Sequence, residues 1–132
     1  MEIQYYKMNG EFLFSFIKKS GLVSWMNGSK KINLSIDKLQ DARLYKDYDI
    51  VVILKGEYHL QSQLDIYSIN GNLLYEKSEP ENYYFSYLTS DGKKTAVVCD
   101  GNEKTKDKYG RTTWKFAIHQ QTGNLTRISL AY

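Results

Sequence analysis

Apolar and polar residues alternate along this chain in short runs, and the runs are separated by Gly and Asn. Leu64-Asp65-Ile66-Tyr67-Ser68-Ile69 meets Asn70-Gly71 and resumes as Asn72-Leu73-Leu74-Tyr75, and a looser copy runs from Phe116 through Gly123-Asn124 to Arg127. Side chains of a strand point alternately to its two faces, and Gly accepts the positive φ of a tight turn, so each copy predicts a β-hairpin. A third echo, Ile3–Met8 and Glu11–Ile17 about Asn9-Gly10, predicts an opening hairpin, with Phe12-Leu13-Phe14-Ser15-Phe16-Ile17 apolar enough to be covered on both faces. Leu22–Met26 and Ile32–Ile36 predict two short strands around Asn27-Gly28. Ile50–Leu54 and Thr95–Cys99 are uncharged and β-branched and predict interior strands. Tyr83–Leu88 predicts an aromatic strand, and the single Pro, Pro80, falls in a polar connector. Residues 37–48 fit two patterns, a short helix capped by Asp37 with Leu39, Ala42 and Tyr45 on one side, or an edge strand. The helical or irregular reading is preferred. The expectation is one all-β domain over residues 1–132 with about ten antiparallel strands.

The unit from Tyr84 to Tyr132 contains an aromatic strand, Asp91-Gly92, the Ala96-Val97-Val98-Cys99 strand, Trp114-Lys115-Phe116-Ala117-Ile118 and Thr122-Gly123-Asn124-Leu125. It resembles a blade of a WD-repeat-type β-propeller, whose four antiparallel strands include a Trp-bearing third strand running into a turn. Ala117-Ile118-His119 stands where that family has its Trp-Asp pair. The resemblance implies an open, half-propeller-like arrangement of two blade-like repeats plus the N-terminal hairpin, with the extra residues of the second repeat placed in Gly101–Arg111.

Composition narrows the class of function. A chain of 132 residues has room for one core, and 42% apolar with 25% charged residues describes an ordinary globule. Twelve Tyr exceed what a core needs and suit a half-buried pleated surface or a recognition surface. One Cys forbids an internal disulfide, and the N-terminus lacks the pattern of a secretory signal, so a cytoplasmic protein is expected. Charge is unevenly spread: residues 1–36 carry +3, residues 37–103 carry −5 and residues 104–132 carry +5.

No residue set names a reaction. His59 and His119 fall in different repeats, and with a Lys they would be a minimal acid-base pair for RNA cleavage. Cys99 sits in an apolar strand, where a Cys behaves as a small hydrophobe. No metal-ligand spacing and no cofactor motif occurs. The basic C-terminal block, Lys104, Lys106, Lys108, Arg111, Lys115 and Arg127, is interleaved with Tyr109 and Trp114, which suits single-stranded nucleic acid. In the acidic middle, Asp41, Asp47, Glu76, Glu79 and Glu81 surround Tyr45, Tyr48 and Tyr83, which suits the docking of a basic protein. In this overall character the chain resembles the small all-β immunity proteins of bacterial contact-dependent inhibition systems. That resemblance implies a non-catalytic module, monomeric alone, that binds a cognate toxin domain, a nuclease, one to one and neutralises it. The alternative is a nucleic-acid-binding β domain using the basic block.

Overall fold

The structure is a computed structural model that describes residues 3–8, 11–58, 60–92 and 94–131, with backbone alone at 3–8 and 11–13. The Asn9-Gly10 turn and His59 lie outside the described residues. Among the described residues the chain forms twelve strands: β1 (Ile3–Met8), β2 (Glu11–Ile17), β3 (Leu22–Asn27), β4 (Lys30–Ser35), β5 (Leu39–Tyr45), β6 (Ile50–Glu57), β7 (Gln61–Ser68), β8 (Leu73–Ser78), β9 (Tyr84–Asp91), β10 (Lys94–Asp100), β11 (Thr113–Ile118) and β12 (Leu125–Leu130). They make three four-stranded antiparallel sheets, and each sheet is a contiguous stretch of chain in simple up-and-down order, β1–β4, β5–β8 and β9–β12. The all-β architecture agrees with the alternating pattern. The predicted opening hairpin, however, is half of a complete first sheet, because β2 continues through Lys18–Gly21 into β3. Gly21 makes that turn possible. Its φ is +77°, and a Cβ there would stand 2.1 Å from the carbonyl oxygen of Ile36.

Side-chain alternation on the middle sheet explains how the three sheets stack. Ile50, Val52, Leu54, Leu64 and Ile66 point to one face and form a core with Phe85, Leu88, Val97, Cys99, Phe116 and Ile118 of the third sheet. Val51, Ile53, Ala42 and Leu39 point to the other face and meet Phe14, Phe16, Val23, Trp25 and Ile32 of the first. Strand β6 is therefore buried on both faces, which is the reason for its run of five β-branched or Leu residues without a charge. The indole N–H of Trp25 donates to the carbonyl of Ile69 at 2.7 Å and ties the first sheet to the β7–β8 turn.

Residues 39–45 are a strand, correcting the helical or irregular reading, and the 3-10 turn Lys46–Tyr48 follows them. The buried positions Leu39, Ala42 and Tyr45 recur every third residue, as in a helix. In the strand this spacing has another cause. A bulge between Leu39 and Asp41 keeps Leu39 and Ala42 on the side of the first sheet, whereas Tyr45 belongs to the opposite face and joins the core with the third sheet.

The two predicted hairpins close where the Gly-Asn steps place them. Ser68 N–H donates to Asn72 at 2.8 Å around Gly71, and His119 N–H donates to Asn124 at 2.8 Å around Gly123.

Candidate functional site

The eight acidic and tyrosine residues expected to meet a partner do not share one surface. Asp41 is half-buried where β5 crosses β9, and its carboxylate accepts the backbone N–H groups of Ala42 at 2.9 Å and Leu88 at 2.8 Å. Burial pushes its pKa up from the ordinary 3.8, against the lowering effect of those two N–H donors. Glu79 accepts from Phe85 N–H at 2.6 Å and, more weakly, from Ser62 N–H at 3.4 Å. Tyr45 is buried, with its hydroxyl against the carbonyls of Thr89 and Ala96. Tyr83 packs edge-on to Phe116 at 4.8 Å and accepts a hydrogen bond from Arg127 at 3.0 Å. Tyr48 packs against the same core. Half of the set thus joins the second sheet to the third, and Tyr48 lines that joint as well. Of the exposed remainder, Asp47 lies in the β5–β6 turn, Glu81 follows β8 at the other end of the sheet, and Glu76 lies along β8 itself.

A different surface is assembled at the end of the molecule that carries the β6–β7 turn, the β8–β9 connector and the long β10–β11 loop. Tyr58 reaches from the β6–β7 turn and donates its hydroxyl to the carboxylate of Asp100 at the end of β10. The amide of Asn102 donates to Asn82 at 3.3 Å, joining the loop to the connector. Five of the large apolar side chains left exposed lie at this end: Leu22, Tyr58, Leu60, Tyr84 and Tyr109. Two recesses lie at this end, one of about 430 Å³ lined by Lys38, Lys55, Glu57, Leu60 and Gln63, the other of about 350 Å³ lined by Lys18, Gln40, Tyr58 and Ser86.

The β10–β11 loop is long yet tightly fixed. The Asp107 carboxylate accepts the N–H groups of Tyr109 at 2.9 Å and Arg111 at 2.8 Å, and pairs with the Arg111 side chain at 2.7 Å, which holds its pKa below the usual range. The Thr105 hydroxyl is wedged against Gly101 and accepts the Asn102 N–H at 2.9 Å. The indole of Trp114 donates to the carbonyl of Thr105 at 2.9 Å. Tyr109, at 71% exposure, projects from this frame with the Lys108 ammonium 5.1 Å and the Arg111 guanidinium 5.2 Å from its ring centroid.

The basic block is less free than its sequence implies. Lys106 pairs with Glu103 at 2.7 Å, Arg111 with Asp107, Lys115 reaches Asp91 at 4.0 Å, and Arg127 lies 3.9 Å from the ring centroid of Trp114. Trp114 is accordingly covered and hydrogen-bonded, and it is no open stacking platform. Lys104 and Lys108 keep no acidic partner among the described residues.

As for chemistry, Cys99 is fully buried and its thiol pKa is pushed well up, chiefly by that burial, so it is not poised as a thiolate. His119 is exposed in the β11–β12 turn, and His59 lies outside the described residues. Among the described residues no cluster of three or more His, Cys, Asp or Glu could hold a metal ion, and no helix is long and apolar enough to cross a membrane. Sequence reasoning singled out Tyr109 but missed Tyr58 and Leu60. Their signal is two large apolar residues inside the turn Gly56–Gln61, where polar residues are the rule. No family model matches this chain, and no curated protein or solved structure matches it either.

Proposed function

We propose that the protein is a non-catalytic binding module that acts by covering a partner protein, in the manner of an immunity protein that neutralises a toxic nuclease domain one to one. The observation that carries this reading is the gathering of Tyr58, Leu60 and Tyr109, on turns and loops, with Tyr84 at the start of β9, at one end of three packed sheets. Exposed Tyr supplies contact area at low entropic cost and is enriched in protein interfaces, and loops on a rigid scaffold are where such contacts concentrate. The thiol of Cys99 is buried, and Asp41 and Glu79 are engaged as acceptors of backbone N–H groups of β9. The assignment to toxin neutralisation rests on the resemblance in size and fold class, and under it the protein acts in the cytoplasm of the producing cell.

The experiment is co-expression with the C-terminal domain of any toxin reading frame found next to its gene, followed by size-exclusion chromatography and titration calorimetry of the purified pair. Survival of the cells and a one-to-one complex are expected. Growth arrest despite abundant folded protein, with no complex in solution, would reject the reading.

A further inference from the structure

We propose that the β10–β11 loop is the anchor of the interface, and that Tyr109, with the ammonium group of Lys108 beside it and Lys104 on the same loop, enters an acidic cleft on the partner protein. The proposal rests on the protein-binding reading above and adds the contact and the chemistry of the opposite surface.

Three observations lead to it. First, Asp107, Thr105 and Trp114 hold the loop in one shape, so the ordering that a flexible loop would undergo on binding is already complete. Second, Tyr109 is far more exposed than folding requires of so large a ring, and a rigid, central aromatic is the usual form of an interface anchor. Third, the internal pairs Glu103 with Lys106 and Asp107 with Arg111 cancel, which leaves Lys104 and Lys108 as the uncompensated charge of the loop, with the Lys108 ammonium next to the ring. That excess selects a carboxylate-lined pocket. Two ammonium groups are few for a nucleic-acid strand, whose affinity grows with each phosphate neutralised, and the indole that could have added a stacking base is occupied by Arg127 and Thr105.

The test uses the isotope-labelled full chain, titrated in turn with short poly-L-glutamate and with oligo-dT of equal length, while backbone amide shifts are followed. Poly-L-glutamate is expected to move the amides of Lys104–Arg111 first, and the double change Lys104→Glu, Lys108→Glu is expected to abolish that response with the rest of the spectrum unchanged. Tighter binding of oligo-dT at the same loop, or glutamate shifts centred on other lysines, would overturn the proposal. With a toxin domain in hand, Tyr109→Ala should weaken the complex about tenfold or more without altering the melting temperature. If this variant and the double Lys variant bind and protect as well as the wild type, the anchor is elsewhere and the protein-binding reading stands. If the wild type binds no toxin domain while glutamate still maps to the loop, the immunity reading falls and the acidic-cleft inference survives.

Discussion

Asp65 has only 1% of its side chain exposed, on the middle strand pair, where Lys55 meets it at 2.7 Å and Gln63 donates to it at 2.6 Å. The Lys55 pKa is raised, first by its hydrogen bond to Asp65. Removing the lysine leaves a buried carboxylate without a counter-charge. Lys55→Ala should therefore cost about 1–3 kcal/mol, below the range for a fully buried pair because the lysine is itself a third exposed and Gln63 remains, and chemical denaturation measures it. Raised pKa values have opposite consequences for acids and bases. For Lys55, the stability it contributes is full below its unfolded pKa and is lost only as pH climbs through the raised folded value, in the alkaline range. For Asp41, burial raises the folded pKa above 3.8, so the folded state holds its proton longer than the unfolded one. The advantage of the wild type over Asp41→Ala should accordingly shrink as pH rises from about 4 through the raised value and then level off. At neutral pH the variant should still lose about 1–3 kcal/mol, because Leu88 N–H on β9 is left without its acceptor. An advantage that grows with pH over that window would mean that the N–H donors outweigh burial.

At the scale of elements, strand β6 decides whether the three sheets pack as described. Ile53 faces the first sheet and Leu54 the third, and both are fully buried. Each truncation to Ala should cost about 2–5 kcal/mol in equilibrium unfolding. A strand with one solvated face would show a large loss at one position and a small one at the next, so a cost below about 1 kcal/mol at either residue would remove its covering sheet. Trp114 couples an element to the loop behind the proposed anchor. Trp114→Ala should cost about 3 kcal/mol and also release the Thr105 carbonyl, so hydrogen exchange should accelerate across 102–111 before it does so in β10. Alternation made β7 readable from the residues alone, and uncharged β-branched runs did the same for β6 and β10. The bulge in β5 defeated it, since a single extra residue shifts every later side chain to the other face and imitates a helical spacing. Phase explains the site as well. Tyr83 and Tyr84 are neighbours, yet the first packs on Phe116 and the second is exposed. Composition counts both alike, and only the register tells them apart.

Across the whole molecule the hairpins were legible and the number of sheets was not, because joining β2 to β3 depends on the tertiary fit of Gly21 beneath Ile36. The acidic and basic blocks also changed meaning once folded. Asp41 and Glu79 became ties between the second and third sheets, and four of the six basic groups of the last block found partners, Lys106 and Lys115 with acids of the middle block, Arg111 with Asp107 and Arg127 on Trp114. Exchange protection should follow the stack. The slowest amides should lie in the central strands β6 and β10, and the outer strand β12, most of whose residues are exposed, should exchange by local opening. Uniform protection across all three sheets would instead indicate one indivisible unfolding unit.

The order in which chain becomes sheet bears on how the protein is made. Each sheet is complete before the next begins to leave the ribosome, so the nascent first sheet presents Phe14, Val23 and Trp25 to water while β5, β6 and β7, which cover them, are still being synthesised. At roughly 5–20 residues per second, that greasy face stays bare for on the order of seconds, long enough for a chaperone to bind or for two nascent chains on one polysome to stick together. The period of greatest danger for this protein thus precedes its folding, and slow codons placed between the first and second sheets would lengthen it.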